Sequence, residues 1–307
     1  MKWRRLSGLL LLFVCLMGMA GLSAAARVTV VLSDDTAPYQ EVYQVVRAYL
    51  DDSGHEVDRV YAERLTQDSL QDTGLAVAVG VRSAESLSAL ANRPPVLAVL
   101  VPRAWYLKTG RARLTEGRRS ASAIYIDQPF DRQAQLIRLA LPDVRRVGVL
   151  LSDDQEGIVS ELGESLRAQQ LGLMHVLLDE SDRLITPLET VLSEVDLLLA
   201  VPDPLIFNRN TAQSLFLTSY RYRDPVLGYS RSLTRAGALL SLHSSPAQIG
   251  RQTAEWVRSV LRSPSIRLPS PTYPAYFSVS INEQVARSLG FSLPSENELE
   301  KRLGGGR

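Results

Sequence analysis

Two copies of one short string carry the groups best placed to do chemistry. Ser33-Asp34-Asp35 follows Leu32, and Ser152-Asp153-Asp154 follows Leu151. Each string sets a hydroxyl and two carboxylates after an apolar run and just before a helical pattern. At such a junction these side chains cap the helix by accepting its first free amides, or they hold the polar groups of a bound solute together with those amides. A carboxylate from either string suits an ammonium or a set of hydroxyls. The hydroxyls of Ser33, Ser83 and Ser152, beside helix N-terminal amides, suit an anion. Arg82 adds a cation at the end of another apolar run, and Asp203, between Pro202 and Pro204, adds a third carboxylate. Tyr39, in the first turn after the first string, and Tyr229-Ser230, at the end of a later apolar run, complete the candidate contacts.

Turnover chemistry finds no such constellation. A dinucleotide-binding turn needs Gly-x-Gly-x-x-Gly so that the backbone can approach a pyrophosphate, and Ser33-Asp34-Asp35 has no glycine and two repelling carboxylates. His55, His175 and His243 are scattered without metal-ligand spacing, no Gly-x-Ser-x-Gly elbow is present, and Cys15 is the only cysteine. His243 reads as a hydrogen-bonded structural histidine. The residues therefore describe a binder and not an enzyme, with no cofactor and no metal expected. Trp105 and Tyr106 open a basic stretch containing Lys108, Arg111, Arg113, Arg118 and Arg119, which reads as a solvated loop, with partner docking as the alternative.

The elements that must position these groups are short apolar runs alternating with amphipathic stretches. Runs at 28–32, 75–80, 96–101, 146–151, 195–201, 225–229 and 237–242 read as strands, and stretches at 39–50, 83–91, 156–170, 246–261 and 282–289 as helices. The runs show no polar alternation, so both faces of each sheet are expected under helices, as in doubly wound α/β folds. In such sheets ligands gather at the carboxyl ends of the strands, where both Leu-Ser-Asp-Asp strings fall.

Several segments in order resemble the ABC-transporter substrate-binding family of the tryptophan/tyrosine type. They are Ile124-Tyr125-Ile126-Asp127-Gln128-Pro129, the run from Leu141 to Leu150, Val201-Pro202-Asp203, Gly237-Ala238-Leu239-Leu240-Ser241, Ile249 to Glu255, and Ile281 to Phe291. The resemblance implies a type I periplasmic-binding-protein architecture: two Rossmann-like lobes with parallel sheets, a hinge with three crossings, and a ligand in the interlobe cleft. On that basis lobe 1 is expected over 27–126 plus 234–268 and lobe 2 over 127–233 plus 269–307. The chain departs from the family's pattern at Val81-Arg82-Ser83-Ala84 and at Pro102-Arg103-Ala104-Trp105, so ligand identity does not carry over.

Residues 1–26 read as a cleaved secretory signal peptide, with cations at Lys2, Arg4 and Arg5, an apolar run from Leu9 to Met19, and small residues at Ser23-Ala24-Ala25-Ala26. Val14 before Cys15 argues against lipid modification there. Without the three leader cations the 33 acidic residues outnumber the basic ones, which excludes a counterion-displacing nucleic-acid binder. The expectation is a periplasmic protein that captures an amino acid or organic acid and delivers it to the membrane permease of an ABC importer. A sensor kinase as the membrane partner is the alternative.

Overall fold

The computed structural model describes residues 26–179, 183–208, 210–263 and 265–304, without the side chain of Asp154. The leader expected over 1–26, Cys15 included, lies outside the described residues except for Ala26.

Apolar runs in the first part of the chain build a parallel sheet. β1 (Arg27–Leu32), β2 (Glu56–Tyr61), β3 (Thr73–Val79), β4 (Val96–Val101) and β5 (Ala121–Tyr125) lie in the order β2-β1-β3-β4-β5. Helix α1 (Ala37–Asp51) follows β1, and α2 (Val81–Ser88) follows β3. Val28, Val30 and Leu32 are buried with Val42, Val46 and Leu50 of α1, whereas Val31 is buried on the opposite face with Ala76 and Ala78. Burial on both faces is the reason the run carries no polar alternation.

After α3 (Phe130–Ala140) the plan repeats. β6 (Arg146–Ser152), β7 (Gly172–Leu178), β8 (Leu197–Leu199), β9 (Val226–Gly228) and β10 (Leu240–His243) alternate with α4 (Val159–Ala168), α5 (Ile185–Leu192), α6 (Ala212–Tyr222) and α7 (Arg231–Ala236). The second sheet runs β11-β10-β9-β8-β6-β7, all parallel except for β11 (Ser278–Ile281), which is antiparallel to β10. In each sheet the first strand lies between the second and the third. That reversal of strand order opens a crevice at the carboxyl end of β1 in one lobe and of β6 in the other.

The helix α8 (Pro246–Leu261) leaves the second sheet and packs on the first lobe. Ser245 caps it through a reciprocal pair with Gln248 (Gln248 N–H to Ser245 Oγ 3.1 Å, Ser245 N–H to Gln248 Oε1 2.8 Å). Gly250 lets it lie against α1, since a Cβ there would sit 2.9 Å from Val45 Cβ. Returning toward β11, Thr272 pairs with the edge strand β5 on both sides (Thr272 N–H to Ala123 O 2.9 Å, Tyr125 N–H to Thr272 O 3.0 Å). The final helices are α9 (Glu283–Leu289) and α10 (Glu296–Arg302).

The chain thus crosses between lobes three times, at 126–129, at 244–245 and over 262–277. Sheet membership differs from the expected lobe boundaries in two places. Residues 234–243 belong with the second sheet, because Leu240 and Leu242 bury into its core beside Leu227 and Val279 and the chain turns away only after His243. Thr272, expected in lobe 2, adds to the edge of the first sheet. Side chains tie the crossings together: Gln128 Nε2 donates to Ser244 Oγ (2.9 Å), Ser244 Oγ donates to Tyr276 O, and Arg132 donates to Gln128 Oε1 (2.6 Å) and Pro274 O (3.2 Å).

Candidate functional site

The carboxyl ends of the two sheets face each other across a cleft with two adjoining compartments, of about 390 and about 1320 Å³. Val81 and Pro102 from the first lobe and Pro202, Asp203 and Pro204 from the second line both compartments. The doubly wound topology places β1, β3 and β4 at this end of one sheet and β6, β8 and β9 at this end of the other, so the wall on each side is built from βα turns.

On the first lobe the turn after β3 is drawn tightly against the turn after β1. The buried Ser33 Oγ donates to Val79 O (2.9 Å) and accepts from the Ser83 amide (3.0 Å). Gly80 between them has φ +91°, and a Cβ there would lie 2.6 Å from Ser33 Oγ and 2.9 Å from the Tyr39 hydroxyl. Only glycine fits such a contact in that conformation. Asp34 Oδ1 accepts from the Thr36 amide at 2.9 Å while the residue lines the smaller compartment. Tyr39 and Arg82 line the same compartment. Burial, and secondarily the Asp34 charge, push the Tyr39 phenol up, so it stays a donor. Arg82 is exposed at the mouth of β3 and makes no ion pair among the described residues.

On the second lobe Asp203 is the anchor. It is buried, Oδ2 accepts from the amide (2.7 Å) and hydroxyl (2.9 Å) of Ser152, and Oδ1 accepts from the Leu205 amide (3.0 Å). Three donors stabilise the carboxylate and lock the end of β6 to the turn after β8. Ser152 and Asp153 line the larger compartment. Tyr229 lines the smaller one, packed edge-on to Phe207 at 6.1 Å between centroids. Burial first, then the Asp203 and Asp127 charges, push its phenol up to about 12.

The structure thus brings Ser33, Asp34, Tyr39, Arg82, Ser152, Asp153, Asp203 and Tyr229 around one cleft. The side chain of Asp154 lies outside the described residues. Three expected contacts are placed otherwise. Asp35 is exposed and lines neither compartment. Ser83 is fully buried, with its hydroxyl donated to Gly80 O at 2.8 Å. Ser230 caps α7 by accepting from the Leu233 amide at 3.2 Å. His243 is away from the cleft, bonded through Nε2 to Ser280 Oγ (2.9 Å), and burial pulls its pKa down to about 4.

The stretch read as a basic loop is helical over 103–115, with a π-turn at Tyr106–Gly110. It brings Trp105, Lys108 and Thr109 into the wall of the larger compartment. Just before it, Leu100 takes φ +54° at a bulge in β4 and lines the smaller compartment. A non-glycine residue held there stores strain of the kind found at ligand clamps. Neighbouring cations serve backbone: Arg93 donates to the carbonyls of Ser88, Leu90, Arg113 and Leu114, and Arg119 to those of Glu116 and Ala91. The signal that Trp105 and Lys108 face the site was positional, because Pro102 ends a strand next to β3. Phe207 and Asn208, also in the smaller compartment, follow the Pro-Asp-Pro turn and had no motif of their own.

Comparison with known proteins bears on the fold that carries this cleft. Among curated proteins no sequence matches. Among solved structures the chain is similar to a ligand-free, open substrate-binding protein with adhesive properties from Clostridium difficile (15% identity, 88% of this chain and 96% of that chain, TM-score 0.70). It is also similar to a conserved domain protein from Vibrio cholerae (18% identity, 91% and 98% covered, TM-score 0.64) and to an ABC domain in complex with L-Trp from Streptococcus pneumonia (16% identity, 92% and 99% covered, TM-score 0.63). These likenesses establish a two-lobed fold of the type I periplasmic-binding-protein kind. The family model for ABC transporter substrate binding proteins matches residues 71–299. With most of both lobes and all three crossings inside that match, the chain belongs to the ABC transporter substrate-binding protein family.

Proposed function

We propose that the protein captures one small polar solute, of the amino-acid or organic-acid class, in the interlobe cleft and hands it to the membrane permease of an ABC importer. The observation that carries this reading is the pairing of complementary groups across the cleft: Arg82 and Tyr39 on the first lobe, Asp203 and Tyr229 on the second, around the smaller compartment. An anionic group on the solute satisfies Arg82, and hydroxyl or ammonium hydrogens pair with the exposed Asp34 carboxylate beside it. The leader pattern of residues 1–26 supports action in the periplasm after export. The chain acts by binding, without turnover.

The test is a thermal-shift screen against amino acids, organic acids, nucleosides and sugars, followed by calorimetry with the strongest stabiliser. A solute present at 100 times its dissociation constant adds about 2.7 kcal/mol of stability. Arg82→Ala and Asp34→Ala are each expected to weaken binding by about 1–3 kcal/mol, as for loss of a charged hydrogen bond, while melting near the wild-type temperature without solute. Unchanged binding in both variants would remove this site from the account.

A further inference from the structure

Outside the cleft, an ion pair between Arg103 and Glu161 joins the lobes directly. Arg103 opens the helical segment 103–115 of the first lobe, and its Nη2 donates to Glu161 Oε2 on α4 of the second lobe at 2.8 Å. The Tyr273 hydroxyl, on the third crossing, donates to the other oxygen, Oε1, at 3.4 Å, and its ring lies 5.7 Å below the Arg103 guanidinium. The Arg103 amide donates to Asp127 Oδ2 at 2.7 Å on the first crossing. Glu161 is therefore the second-lobe end of a junction that touches the first lobe and two of the three crossings, yet it lines neither cleft compartment.

We infer that Glu161 is an interlobe clamp and a positioning residue for the solute site: its carboxylate sets how far the lobes stand apart and where the wall bearing Trp105 and Lys108 sits. Lobes that move about the three crossings change the distance between α4 and residue 103, so the ion pair is made at one lobe separation and stretched at others. A contact present in one state alone shifts the population toward that state by its own free energy. With side chains 22% and 44% exposed, the pair is partly screened, which corresponds to about a two- to five-fold bias in the equilibrium. The cleft wall responds because Ala104, Trp105, Lys108 and Thr109 ride on the helical segment that Arg103 begins.

The inference rests on the cleft being the solute site, but its test needs no solute. Spin labels are placed at the exposed Glu41 of α1 and Gln213 of α6 after replacing each with cysteine and Cys15 with serine. Distance distributions are then recorded by pulsed electron resonance on the full chain. Glu161→Gln and Arg103→Gln are each expected to move the ratio of short to long distances by about two- to five-fold without lowering the melting temperature, and the double variant to move it no further than either single one. Raising salt to about 1 M should move the unsubstituted pair in the same direction, because the Debye length falls to ~3 Å. Distributions that superimpose on the parent, or single-variant shifts that add in the double variant, would overturn the clamp. Failure of the solute screen with these shifts intact would instead count against the proposed function alone.

Discussion

Gly80 shows how a single residue decides the shape of the site. Its φ of +91° and the 2.6 Å approach of Ser33 Oγ to a would-be Cβ leave no room for a side chain. Gly80→Ala should destabilise the protein by about 1–3 kcal/mol, the usual cost of an incompatible backbone conformation. The displaced Ser33 and Tyr39 should also weaken solute binding, so a lowered urea midpoint and a higher dissociation constant are expected together. His243 gives a pH-dependent outcome. Its folded pKa of about 4 lies below the ordinary 6.5 because burial disfavours the imidazolium. The unfolded chain binds more protons in that window, so stability is full above pH 6.5 and is lost as pH falls toward 4. Urea melts at pH 7.5 and 4.5 should show His243→Gln losing about 1–3 kcal/mol less than wild type across that interval. Single residues were also where the sequence was hardest to read. Ser33, Asp34 and Asp203 stand at strand ends that pattern alone locates, but whether a hydroxyl faces solute or caps a helix depends on a rotamer. Ser83 and Ser230 turn to backbone partners for that reason.

At the scale of elements, α8 is the part whose placement depends most on its start. Ser245 and Gln248 fix the first turn directly after the second crossing. Ser245→Ala is expected to cost about 0.5–2 kcal/mol, the range for loss of an N-cap, read from the denaturation midpoint. This helix was legible from its apolar spacing, as were β1, β3, β4, β6, β8, β9 and β10. β2 and β7 were not. They are the outer strands of their sheets, and Glu56, Asp58 and Arg59 of β2 or His175 of β7 interrupt the apolar pattern because one flank meets solvent. The 103–115 segment escaped for a different reason: Arg103 and Arg113 pair with Glu161 and Glu85 of other elements while the flanking Arg93 and Arg119 satisfy carbonyls, uses of charge that composition cannot separate from a solvated loop.

On the scale of the whole molecule, the repeated strand plan places two βα crevices opposite each other, and the crossings tied through Gln128, Ser244 and Tyr276 hold them there. The repeat of Leu-Ser-Asp-Asp was the sequence's trace of that plan. The residues that converge between the lobes come from strand ends far apart in the chain, those of β1, β3, β4, β6, β8 and β9 among them, and long-range convergence of that kind leaves no local motif. The central claim is that a solute is held from both sides of this cleft. A crystal structure of the protein with the strongest stabiliser from the screen tests it most directly. The account predicts solute density between Pro102 and Pro202, in contact with Arg82 or Tyr39 on one lobe and Asp203 or Tyr229 on the other; density outside the cleft, or against one lobe only, would contradict it.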